Sequence, residues 1–393
     1  MKTKGRVFCI LGMAMVIFTA STAAGEDKEK KIPDTLMPGL KHLLSLTDPA
    51  PGIVPDMALA GPVLDFVASA KEPGAMYTME SIDDTTSGYY EYELRTKFAD
   101  FLRYAYNPRI MAVLLRPSSV RASYWTEIQQ GDEHLDKLWE ELDNLDKPIV
   151  IKGKRYVEIT PDETTGTYYI YNEHRTLVLC RYNGRNVLLS ITRQIDKSEK
   201  GRRGAVIGDD GQWNYLYFKE TGLNKGGLSW VNPYIYNSLA VAVFMETEPG
   251  SATMRCADFK WVRAGWAGIN MVEEKHIRAG LQRFEMGLRG VLESPNPPDP
   301  ATLEELTAKL DQLSVPELKA QTRQAINNLA TRYGDERVLP GKTVSDIAKD
   351  PEYVEELREV HLRAWLGVEH LKCLLDKPNG VAGISPLCAL KAK

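Results

Sequence analysis

Apolar residues recur at every second position through the middle of this chain and at every third or fourth position near its end. Residues 176–182 form a β-rich run, Asn183-Gly184 follows, and 185–193 form a second run. Asn-Gly between two such runs predicts a hairpin, because both central residues of its type I′ turn need positive φ. Further strands are predicted at 154–160, 167–171, 213–218, 239–246 and 253–260, with Asp210-Gly211 as a turn. Earlier in the chain, 34–46, 58–70 and 96–106 read as helices. Segments 75–82, 89–94, 110–115 and 120–128 read as strands. Tyr90, Tyr92 and Leu94 alternate with Glu91 and Glu93, the pattern of a half-buried strand. Residues 132–145 predict an acidic amphipathic helix, and 268–292 a helix that closes the strand-rich block.

Pro295, Pro297, Pro298 and Pro300 then break the pattern by fixing φ and removing backbone donors. Beyond them the period is helical. Thr302 with Glu305, and Ser314 with Glu317, have capping-box spacing, and Pro316 suits a first turn. Asp350-Pro351 opens a long predicted helix to Asp376, with Val354, Leu357, Ala364, Val368, Leu371 and Leu375 on one stripe. The expected class is α+β: an antiparallel β-sheet block with flanking helices, then a small all-α C-terminal module. The expected regions are 25–148, mixed α/β; 149–293, antiparallel and β-rich; 294–300, a Pro-rich linker; and 301–393, helical.

The first 24 residues carry an address. Lys2, Lys4 and Arg6 precede the apolar run 7–19, and Ala20-Ser21-Thr22-Ala23-Ala24 supplies small side chains. This pattern predicts a cleaved signal peptide, cut after Ala23 or Ala24, and a periplasmic or secreted protein. No later apolar run is long enough for a membrane span. The chain has 49 basic and 53 acidic residues, net −4, and losing Lys2, Lys4 and Arg6 takes it to −7. That balance argues against nucleic acid as a partner, which requires neutralised phosphates.

Cys9 lies in the signal segment. Cys180, Cys256, Cys373 and Cys388 form an even set, which in an oxidising compartment predicts disulfides. Three connectivities are open. The expected pairing is Cys373 with Cys388 as a local staple and Cys180 with Cys256 joining two strands. Cys256 with Cys373 or Cys388 instead ties the helical module to the sheet.

Candidate chemistry is sparse. No histidine pair has the helical spacing of a zinc site, and no metal or cofactor is expected. His370 and Cys373 share a helix face, but a disulfide would occupy the thiol. Gly227-Leu228-Ser229-Trp230-Val231 lacks the second glycine of a nucleophile elbow. Glu173 and His174 are adjacent and so face opposite ways on a strand. Gly201-Arg202-Arg203-Gly204 is a basic loop suited to anions. The richest feature is aromatic: Trp213, Tyr215, Tyr217, Trp230, Tyr234 and Tyr236. The first three step by two along one strand face. Such a row either binds sugars, peptides or acyl chains or fills a core. The expected function is non-catalytic binding of an apolar or amphipathic ligand or a protein partner, with lipid, glycan or an envelope protein as partner classes. The alternative is a metal-independent envelope hydrolase with carboxylates such as Glu273 and Glu274 near a cleft.

Overall fold

The computed structural model describes residues 30–49, 54–69, 71, 74, 76–163, 165–223 and 231–377. The expected signal segment, Trp230 and Cys388 lie outside these residues.

The strands are β1 (Met76–Tyr77), β2 (Thr86–Leu94), β3 (Val120–Gln130), β4 (Ile149–Ile159), β5 (Thr167–Tyr168), β6 (Ile170–Tyr182) and β7 (Arg185–Gln194). They continue as β8 (Arg202–Val206), β9 (Tyr215–Thr221), β10 (Tyr234–Glu246), β11 (Met254–Gly265), β12 (Arg337–Leu339) and β13 (Lys342–Thr343). The helices are α1 (Met37–Ser45), α2 (Met57–Ala68), α3 (Phe98–Ala105), α4 (Asp132–Leu135) and α5 (Glu274–Leu292). The C-terminal region adds α6 (Pro300–Gln312), α7 (Val315–Tyr333), α8 (Val344–Lys349), α9 (Pro351–Glu355) and α10 (Glu359–Leu374).

The fold is α+β. An eight-stranded antiparallel sheet runs in the order β1-β2-β11-β10-β7-β6-β4-β3. A smaller sheet, β5-β8-β9, has its own hydrogen-bonded ladder beside it. The β6–β7 hairpin turns at Asn183 and Gly184 with φ of 50° and 77°, the left-handed pair that Asn-Gly favours.

Alternation along β10 explains the two layers. Leu239, Val241, Val243 and Met245 enter a core with α1, α2 and their neighbours. Ala242 and Phe244 face a second core, which includes residues of α3, β9 and α5 and of helices from α6 to α10. A sheet covered on both sides can bury consecutive residues. The half-buried reading of 89–94 therefore gives way: Glu91 is buried too, paired to Lys71 at 2.9 Å.

Other expectations change at the ends of elements. Residues 110–115 hold a 3-10 turn, Ala112–Leu114, rather than a strand. The acidic helix at 132–145 is only α4 plus a 3-10 turn, Glu141–Asn144. The long C-terminal helix is split into α9 and α10, and Arg358 is the N-cap of α10. Asp299, not Thr302, caps α6, while Ser314 and Glu317 form the expected box on α7.

The expected Cys180–Cys256 bridge is corrected. Both are buried free thiols, and they enter the two different cores. Cys180 on β6 and Cys256 on β11 are also separated by β7 and β10. Strands two places further apart than neighbours, with side chains on opposite faces, cannot meet the short Cβ separation a disulfide needs.

Candidate functional site

The second face of the large sheet carries a patch of small and charged side chains in ordered rows. In one row Arg175 on β6 lies opposite Thr192 on β7, Thr192 opposite Ala240 on β10, and Ala240 opposite Lys260 on β11. In the next, Leu177, Ser190, Ala242 and Asp258 follow the same strands. Paired residues in an antiparallel sheet share a face. Ala240 and Ala242 at the centre leave space that the charged chains from both flanks fill incompletely. The result is a cleft of about 390 Å³, of a size suited to small ligands.

Helix α5 supplies the roof. Ile277, Gly280, Leu281 and Phe284 lie on one helix face, at positions i, i+3, i+4 and i+7, and line the cleft. Gly280 has open space where a Cβ would stand. Val157, Ile159, Ile235 and Val262 add apolar wall.

Positive charge dominates the interior. Arg155 on β4 is ion-paired with Glu173 on β6, its Nε donating to Oε1 at 2.8 Å. Arg175 donates through Nε and Nη2 to the Ser190 hydroxyl at 3.3 and 3.1 Å. Arg116, from the loop before β3, stacks its guanidinium 5.3 Å from the Phe284 ring centre and 5.9 Å from that of Tyr106. Arg116 and Arg175 are 8% and 6% exposed, and neither forms an ion pair with a carboxylate among the described residues. Buried charges are ordinarily paired, because desolvation is expensive. Burial, reinforced by Arg155, lowers Arg175 to about 9, which leaves it charged at neutral pH.

Lys260 donates from Nζ to Ser238 Oγ at 2.9 Å, and burial pulls the ammonium below its ordinary range. Asp258 is 8% exposed and its Oδ2 has no hydrogen-bond partner. Burial pushes its carboxyl up to about 6, against the opposing pull of Lys260 and Arg116.

The aromatic residues singled out in the sequence do not converge on this cleft. Trp213 is not in the strand: it sits at φ 60° after a 3-10 turn, and β9 begins at Tyr215. Trp213, Tyr215 and Tyr217 are 4%, 6% and 7% exposed, so they belong to the core while lining a separate cavity of about 310 Å³ against α7 and α10. Tyr215 donates to Asp210 Oδ1 at 2.6 Å, and Asp210 also accepts from Arg283. Arg121 stacks 3.7 Å over Tyr217. Tyr234 and Tyr236 are half-buried at the start of β10, near Lys197 and Arg263.

The remaining candidates also find places. Glu173 faces the cleft, while His174 is on β6's other side. Arg202 and Arg203 belong to β8, with Arg202 paired to Glu199 at 2.8 Å. Glu273 caps α5 on the surface and pairs with Lys275 at 2.7 Å. His361 bonds Glu158, which is fully buried and also held by Arg121 at 2.7 Å and Arg358 at 3.1 Å. His370 is buried on α10, and burial lowers its imidazole to about 4. No group of three His, Cys, Asp or Glu able to hold a metal occurs among the described residues. No described helix is long and apolar enough to cross a membrane.

Sequence reasoning missed the cleft because its residues come from strands β3 to β7, β10 and β11, from the segments that connect them, and from helix α5. One signal was available. Even-spaced pairs of polar residues, Glu173/Arg175, Ser190/Thr192 and Asp258/Lys260, flank a strand whose even positions Ser238, Ala240 and Ala242 are small. Within the 239–246 run, small and large residues alternate, which marks one face as having room.

No protein-family model, curated protein or solved structure matches this chain.

Proposed function

We propose that this protein binds an amphipathic anion in the cleft between the large sheet and α5. The observation that carries this reading is the pair of buried guanidiniums, Arg116 and Arg175, that face the cleft without carboxylate partners. An anionic headgroup supplies the opposite charge, and charge-assisted hydrogen bonds to it are strong in a low-dielectric interior. The walls formed by Ile277, Leu281, Phe284 and Val262 accept an apolar body. The charged start, apolar run and small-residue exit of residues 1–24 support an exported protein that meets this ligand in the envelope or outside the cell.

Calorimetry with two probes of equal chain length tests the reading. 1-Decanesulfonate stays ionised at every working pH, and decyltrimethylammonium reverses only the headgroup charge. We expect saturable one-to-one binding of the sulfonate and at least roughly tenfold weaker binding of the ammonium, or about 1.4 kcal/mol. Equal affinities for the two would show a merely greasy cavity and overturn the proposal.

A further inference from the structure

Ser238 and Lys260 stand together inside the cleft in a way that ligand binding alone does not use. The two residues are on neighbouring strands and form a diagonal pair two register positions apart, since Ser238 lies opposite Val262 and Lys260 opposite Ala240. Their side chains share the cleft face and meet at 2.9 Å. Ser238 is 6% exposed, and its hydroxyl has this lysine for a neighbour inside a space large enough for a ligand.

We propose that Ser238 is a nucleophile, that Lys260 is its general base, and that the cleft cleaves an ester bearing an anionic group. This rests on the anion-binding reading above, because the guanidiniums of Arg116 and Arg175 hold the substrate there. The requirements of such a pair are a hydrogen-bonded hydroxyl and amine and a lysine able to lose its proton. Burial favours the neutral amine, and Arg155 acts in the same direction, while Glu173 and Asp258 oppose it. Arg116, Arg175, Arg283, His276 and Asp162 complete the set of ionisable groups around the cleft on other elements, with the phenols of Tyr106, Tyr169 and Tyr171.

The chemistry balances without a metal or redox partner. Neutral Lys260 Nζ takes the Ser238 hydroxyl proton as Oγ bonds to the ester carbonyl carbon. The carbonyl electron pair moves to oxygen, within the positive field of the arginines. Collapse of this intermediate breaks the bond to the alcohol oxygen, which leaves with the proton from Lys260. Water then attacks the acyl-Ser238 carbon and gives its proton to Lys260. Ser238 Oγ departs and recovers that proton, releasing the acid.

A fluorophosphonate with a decyl chain tests the pair in the full chain. Attack by Ser238 displaces fluoride and leaves a stable phosphonyl adduct that intact mass and peptide mapping locate. We expect a single adduct on Ser238, formed faster as pH rises through the titration of Lys260 and slowed by excess decanesulfonate. Lys260→Arg keeps the positive charge and a donor to Ser238 but cannot act as base. It is expected to slow labelling by at least ~100-fold, the scale of general-base catalysis, while near-ultraviolet circular dichroism reports an intact fold. Wild-type protein that binds decanesulfonate yet shows no Ser238 adduct at pH 9 overturns the dyad and leaves the binding reading standing. Undiminished labelling of Lys260→Arg overturns the base role. Labelling that decanesulfonate does not slow would retain the nucleophile and refute its anionic substrate class.

Discussion

Asp258 makes the cleft sensitive to pH. Its carboxyl is raised to about 6 by burial, above the ordinary aspartate value of 3.8. Between these values the folded protein holds a proton that the unfolded chain has lost, so this group's contribution to stability declines as pH rises through that window. The same proton controls charge in the cleft. Below pH 6 the carboxyl is neutral and repels an anion less, so decanesulfonate is expected to bind roughly tenfold more tightly at pH 5 than at pH 7.5. Asp258→Asn should bind tightly at both, as titration calorimetry would show. A parallel pH dependence in wild type and Asp258→Asn would remove Asp258 from the site. Trp213 gives a second residue-scale test. Its 4% exposure places it in the core, so Trp213→Ala should destabilise by about 3–5 kcal/mol in denaturant unfolding. A loss below about 1 kcal/mol would contradict that placement.

Helix α10 shows how an element becomes pH-sensitive in the opposite sense. His370 is buried on it and depressed to about 4 by burial alone. Unfolding restores an ordinary imidazole, so the unfolded chain binds the extra proton below pH 6.5. Stability from this group is full above pH 6.5 and falls as pH drops toward 4, by roughly 2 kcal/mol at pH 5. Thermal melts of His370→Gln should show a shallower acid-side fall than wild type; identical slopes would contradict the burial. The β6–β7 hairpin is the element most legible in the sequence, because Asn183-Gly184 names its own turn. Gly184 at φ 77° predicts that Gly184→Ala costs about 1–2 kcal/mol in chemical denaturation, and no change would argue against the left-handed turn. By contrast, nothing in the local period of 351–376 shows the break between α9 and α10. There Arg358 leaves the helix to reach Glu158 and Tyr156, a tertiary contact that overrides the stripe.

Across the whole molecule, the class was legible and the cleft was not, for one physical reason. Period reports which face of an element is apolar, and it reported the strands well. It does not report which strands become neighbours, and the cleft exists only because β6, β7, β10 and β11 are adjacent in the sheet. The same ignorance of strand order suggested a Cys180–Cys256 bridge between thiols that lie in different cores. Peptide mapping of oxidised protein should therefore find no Cys180–Cys256 linked pair. The most direct test of the central reading combines stability with binding in Arg175→Met. A guanidinium retained for the fold should lose stability when removed. One retained for a ligand is a buried charge that the fold tolerates, and its replacement by an apolar chain is neutral or stabilising. The account predicts that Arg175→Met melts at or above the wild-type temperature while decanesulfonate binding weakens at least roughly tenfold, or about 1.4 kcal/mol. A marked fall in melting temperature with unchanged affinity would contradict it.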